Sequence, residues 1–212
     1  MAVKLSEMNL AKILILILFL FSSSAHSFYT EIGANYSFQR EVYGVDYESK
    51  LNENTLLTSV AFYFFSLTGL EIGYSWRKVD NLDKTVSLLN NDRYQTGYRR
   101  TLNVQNFSVG ISQYFNSTKA ILRPGIGAGF TRRITEDGGY TDIYDDNTDE
   151  AYRLERDTTK TTSDLIYVLA SLKFRVVEGL FLSGSVRTLF SPKKYDDAQN
   201  NLRFFVGFSW LF

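Results

Sequence analysis

Residues Asn201 to Phe212 read Asn-Leu-Arg-Phe-Phe-Val-Gly-Phe-Ser-Trp-Leu-Phe, and every even position from Leu202 to Phe212 is large and apolar. The odd positions include Arg203, Gly207 and Ser209. Side chains of an extended chain alternate between two faces, so this segment predicts a strand that is apolar along the whole of one side. Few environments accept such a face over this length, and the rest of the chain has to say which one is meant.

The same period recurs seven more times. Phe28–Gln39 sets Ile32, Ala34, Tyr36 and Phe38 against Glu31, Asn35, Ser37 and Gln39. Leu56–Phe65, Leu70–Lys78, Phe107–Phe115, Ala120–Ile134, Leu165–Arg175 and Leu180–Phe190 alternate likewise. Each is near the roughly 9–11 residues that a tilted strand needs to cross a bilayer. Leu102 and Val104 are out of step with Phe107 and Val109, which predicts a bulge or a change of environment near Gln105-Asn106. Connections alternate too. Tight turns are expected at Ser66–Gly69, Asn116–Lys119 and Val176–Gly179, with long segments at Arg40–Asn54, Val79–Tyr98, Thr135–Asp164 and Ser191–Asn201.

This is the layout of an all-β, eight-stranded antiparallel up-and-down transmembrane β-barrel, with short turns on one side and long loops on the other. A soluble eight-stranded barrel of lipocalin type would have to put the apolar face inside. Eight strands leave an interior barely wide enough for side chains, and the Gly- and Ser-rich face fits it better than a crowd of Phe, Leu, Ile, Tyr and Trp. Aromatic residues make up 16% of the chain, with 14 Tyr and 17 Phe, enough to furnish interfacial girdles.

The N-terminus reads as a cleavable signal peptide. Lys4 and Lys12 precede an apolar run from Ile13 to Phe21, and Ala25 and Ser27 are the small residues expected before cleavage. Met8 is an alternative start, and the apolar run falls well short of the roughly 20 residues a membrane helix needs. The expected organisation is a signal peptide at 1–27 and a barrel domain at 28–212.

On these strands, the turn alternation and the terminal Gly207-x-x-Trp210-x-Phe212, the chain resembles the small eight-stranded outer-membrane β-barrels, the OmpX/Ail-type proteins and the OmpA transmembrane domain. Phe205 stands where the terminal signal of that group usually has a large polar residue. The resemblance implies location in a bacterial outer membrane, contact with outer-membrane lipids including lipopolysaccharide, passage through the barrel-assembly machinery, and a monomer. No peptidoglycan-binding domain is expected after Phe212.

Composition narrows the chemistry. The formal net charge is +0, which argues against nucleic acid as a partner. There is no cysteine, and the one histidine, His26, falls in the signal peptide, so a lipid-modifying barrel enzyme with a histidine base is disfavoured. No catalytic residue, cofactor or metal ligand set is expected. The inward face should carry a charge network of Glu31, Glu71, Arg123, Lys173, Arg175, Arg187 and Arg203, because buried charges must pair or stay wet. Its outer part, with Arg77, Arg133, Arg187 and Arg203, shows no carboxylate on those strands and leaves room for an anion-preferring pore. Glu136–Asp164 is rich in carboxylates suited to Ca²⁺ or Mg²⁺, but without the spacing of an EF-hand. Arg99, Arg100, Arg132 and Arg133 are candidates for one basic patch that grips lipid phosphates. The expected role is structural or interactive, with surface loops on a filled barrel. The alternative is a narrow porin-like channel for small solutes.

Overall fold

The computed structural model describes residues 29–43, 49–64, 67–90, 92–192, 198 and 201–212. The expected signal peptide and its cleavage point lie outside the described residues. The strands are β1 Tyr29–Tyr43, β2 Ser49–Tyr63, β3 Thr68–Asp83, β4 Ser87–Asn90, β5 Arg93–Tyr114, β6 Leu122–Asp145, β7 Glu150–Val177, β8 Leu180–Phe190 and β9 Arg203–Leu211.

They form one antiparallel sheet in the order β3-β2-β1-β9-β8-β7-β6-β5-β4, and a further β3–β5 pairing closes it. β4 is a short piece on the outer end of β5, so the wall consists of the other eight strands. The seam between β1 and β9 is completed by Thr30 and Phe212, which donate backbone N–H groups to each other's carbonyls at 3.3 and 2.8 Å. Closure removes sheet edges in the wall and satisfies its backbone internally, the condition for crossing lipid.

The two faces follow the alternation. Ile32, Ile72, Val109, Ile126, Val168, Leu182 and Val206 are exposed on the outside, and Phe62 is partly covered. Arg123, Lys173 and Arg187 are buried inside, and Glu71 is half-buried there. Charge inside and hydrocarbon outside inverts the order of a water-soluble protein, and it is stable only with lipid around the wall. Trp210 and Phe212, with ring centroids 6.3 Å apart, sit at the turn-side end of this band. Tyr74, Trp76 and Phe107 sit toward the other end, the Tyr74 and Phe107 rings 5.1 Å apart.

One sequence expectation is resolved and another changes. β5 pairs without a shift from Gly97 to Tyr114, so there is no bulge at Gln105-Asn106. Val104 simply points into the lumen, 1% exposed, which is the change of environment its parity required. The register shifts instead fall at Leu88/Asn90, Gln95/Gly97, Asp137/Gly139 and Arg175/Val177. The strands are also longer than the apolar stretches. β2 begins at Ser49 rather than Leu56, and β7 at Glu150 rather than Leu165. The acidic segment Glu136–Asp164 is therefore mostly a β6–β7 hairpin rather than a loop. Beyond Arg132 that hairpin runs roughly 45 Å along the strand at about 3.4 Å per residue. Among the described residues β8 first meets β7 at Ile166, leaving Glu150–Leu165 with one unpaired side.

Inside the wall, Gly110 and Gly129 are cross-strand partners, and Gly129 also faces Tyr167 on β7. A Cβ on Gly129 would collide with the Val109 carbonyl oxygen and lie 2.7 Å from the Tyr167 ring, and one on Gly110 would collide with Tyr167 Oη. These glycines make the space into which the Tyr167 ring lies. Gly129→Val is expected to destabilise the folded barrel by the upper end of about 1–3 kcal/mol or more, since backbone must move as well as side chain. Unfolding by urea in lipid vesicles measures it, with Gly184→Ala, where no atom lies within 4 Å, as the neutral comparison.

Candidate functional site

The inward side chains gather into two charged layers. In the layer near the turns, Glu31 on β1 is the centre. It contacts Lys173 Nζ through Oε1, lies 3.7 Å from Arg123 Nη1, and accepts a 2.7 Å hydrogen bond from Tyr63 Oη. Arg123 is 0% exposed, with its guanidinium carbon 4.6 Å from the Tyr114 ring centroid, 5.2 Å from Phe181 and 5.8 Å from Tyr63. Lys173 Nζ lies 4.4 Å from the Tyr114 centroid. The aromatic faces take part of the charge that Glu31 alone cannot balance. Glu71 lines a cavity of about 40 Å³ beside Lys173 and forms no ion pair within 4.0 Å among the described residues. Arg175 stands half-buried at the turn end, without a carboxylate partner among the described residues.

The outer layer holds a residue that the alternation did not reveal. Glu53, on the β2 extension, meets Arg203 and lies 3.7 Å from Arg77. The apolar alternation begins only at Leu56, so the sequence alone puts Glu53 in a loop. An acidic residue flanked by Asn52 and Asn54 gives no sign by itself that the strand continues. Arg187 donates to Thr131 Oγ1 at 3.2 Å and lies over Tyr167 at 4.1 Å. Arg133 donates to Asn106 Oδ1 at 3.1 Å.

The four arginines expected to form one basic patch do not. Phe107 pairs with Arg132 and Asn106 with Arg133, whereas Arg100 pairs with Gly139. From Arg100 to Phe107 is seven residues (107 − 100), or roughly 24 Å of strand at about 3.4 Å each. Arg133 faces the lumen. The other three are each taken by a carboxylate. Arg99 forks onto Asp80 at 2.9 and 2.6 Å, Arg100 onto Asp137 at 3.0 and 2.6 Å, and Arg132 onto Asp164 at 3.0 and 3.3 Å. The forked hydrogen bonds hold the Asp80 and Asp137 carboxyls below the usual carboxylate range and raise both arginines in turn.

The carboxylates of the acidic hairpin are spread along it in cross-strand pairs. Asp142 takes Arg153 at 2.8 Å, Glu136 takes Lys160 at 3.0 Å, and Asp145 takes Arg93 at 2.8 Å. Arg153 also lies 3.7 Å from the Tyr140 ring centroid. The hairpin is therefore laced by opposite charges, an arrangement that favours its register.

No protein-family model matches the sequence, and no curated protein matches it. Among solved structures, a major outer membrane protein from Thermus thermophilus superposes with a TM-score of 0.51 at 13% identity, covering 88% of this chain and 100% of that one. The N-terminal β-barrel domain of Pseudomonas aeruginosa OprF gives 0.45 at 13% identity, covering 87% and 97%. Ail of Yersinia pestis gives 0.43 at 9% identity, again over 87% and 97%. The chain has the fold of an outer-membrane β-barrel. An outer-membrane barrel of this size has two places for function, its lumen and the part of its wall that rises past the lipid. Here the lumen is occupied by charged side chains and rings, only some of the charges paired, and the strands beyond the apolar band carry a ladder of cross-strand ion pairs.

Proposed function

We propose that this is an integral protein of a bacterial outer membrane, in which the barrel is a solid anchor and the sheet raised above the lipid is the interacting part. The observation that carries this reading is the seal at Arg123, 0% exposed among Tyr63, Tyr114 and Phe181 and held by Glu31. The lumen has a cavity of about 40 Å³ in the inner layer, lined by Glu31, Tyr114 and Lys173, and one of about 20 Å³ in the outer layer. Since one water needs about 10–15 Å³, these hold isolated waters rather than a file of them. Lipopolysaccharide around the wall and the assembly machinery during biogenesis are the partners that go with this reading, and a monomer is the state.

A narrow anion-preferring channel is the second reading, favoured by the excess of arginine in the outer layer. Conductance separates the two. In planar bilayers the wild type is expected to give no discrete steps, and Arg123→Ala with Lys173→Ala to give small ones. Reproducible anion-selective steps from the wild type would overturn the solid barrel.

A further inference from the structure

The outer half of the lumen carries more positive charge than its walls neutralise. Arg77 on β3, Arg133 on β6, Arg187 on β8 and Arg203 on β9 line one cavity of about 20 Å³, together with Thr55, Ser75 and Asn106. Glu53 meets Arg77 and Arg203, and Glu71 of the inner layer acts on Arg187 through its charge. Four cations and two carboxylates leave a formal surplus of two among the described residues (4 − 2). The sheet makes this worse, because Arg187 and Arg203 are direct cross-strand partners and like charges in that position repel. Arg133 feels the charge of both Arg77 and Arg187, and its donor goes to the neutral Asn106. Arg187 is 6% exposed, yet its Nε has no acceptor among the described residues. Arg77 Nε and the Thr55 hydroxyl are likewise buried without a partner. Donors left in this condition are costly, and a surplus of buried positive charge more so.

We propose that this cluster is a binding site for a small inorganic anion of chloride size. The cavity exceeds the roughly 10–15 Å³ that one water-sized species requires but is too small for a phosphate ester or a sugar. The Arg77 and Arg187 Nε–H groups and the Thr55 hydroxyl supply donors that no acceptor among the described residues uses. The anion offsets the repulsion across β8 and β9 and so fastens the two strands next to the closing seam. It acts as a structural ligand and does not need to pass through the barrel.

The test uses the folded protein in zwitterionic lipid vesicles, with sodium chloride exchanged for sodium gluconate at constant ionic strength. The unfolding midpoint is expected to rise with chloride and then saturate. Equal midpoints in the two salts would overturn the proposal. Glu53→Gln removes the competing carboxylate and should bring saturation at a several-fold lower chloride concentration. An unchanged response would count against the site. Arg133→Gln should weaken the response. If that variant does not fold, wild-type crystals grown in bromide decide the matter. An anomalous peak between Arg77, Arg133 and Arg187 supports the site, and density confined to the protein surface overturns it.

Discussion

Glu31→Ala is expected to cost about 3–5 kcal/mol of folding stability, because it leaves Arg123 and Lys173 buried together without their counter-charge. Glu31 is 3% exposed and is the group through which both cations and the Tyr63 hydroxyl are joined. Its loss exposes two like charges to each other in a buried layer, and the aromatic rings offset only part of that. Glu71→Ala should cost far less, since Glu71 is half-buried beside a cavity and holds no close ion pair among the described residues. Adding Lys173→Met to Glu31→Ala should recover part of the loss by taking one stranded charge away. Urea unfolding in vesicles gives all three values. Equal losses for Glu31→Ala and Glu71→Ala would show that the layer is not organised around Glu31.

Val206→Arg should cost about 2–4 kcal/mol, as a guanidinium on the lipid face near mid-bilayer usually does. Leu154→Arg provides the contrast. Val206 is 64% exposed and Leu154 59% exposed, so accessibility does not distinguish them. On the proposed reading Leu154 lies on the raised hairpin in water, where such a change is expected to stay within about 0.5 kcal/mol. The difference between the two variants reads out the solvent at each position. Similar values would mean that the apolar band is not set in lipid.

The wall was legible in the sequence because lipid leaves a mark on every second residue. Ile32, Ile72, Ile126 and Val206 all fall on the outer face that their parity assigns. The mark ends where the lipid ends. Above it both faces of a strand meet water, polar residues are acceptable on each, and period two fades although the backbone pairing continues. Glu53 and the part of β7 before Leu165 were hidden for this reason. Register is a separate matter. Arg99-Arg100 and Arg132-Arg133 belong to neighbouring strands, but the register that follows from the turn at Phe115–Ile121 decides how far apart they stand. The lumen charges were readable as a set. Their pairing was not, because partners such as Glu31 and Lys173 lie 142 residues apart and meet only through the shear of the closed sheet.

The bare flank of β7 has a bearing on how such molecules share a crowded surface. A strand with one row of amides and carbonyls unpaired, as this one has among the described residues, is a template onto which any other strand could zip, including the same strand of a neighbour. Arg153, Glu155, Arg156, Asp157 and Lys160 punctuate this one, all exposed. A second strand laid alongside would have to match that order of signs or strip water from charges it cannot pair. The hairpin can thus stand tall and half-open while the proteins around it remain separate, much as charged residues guard the margins of sheets that must not aggregate.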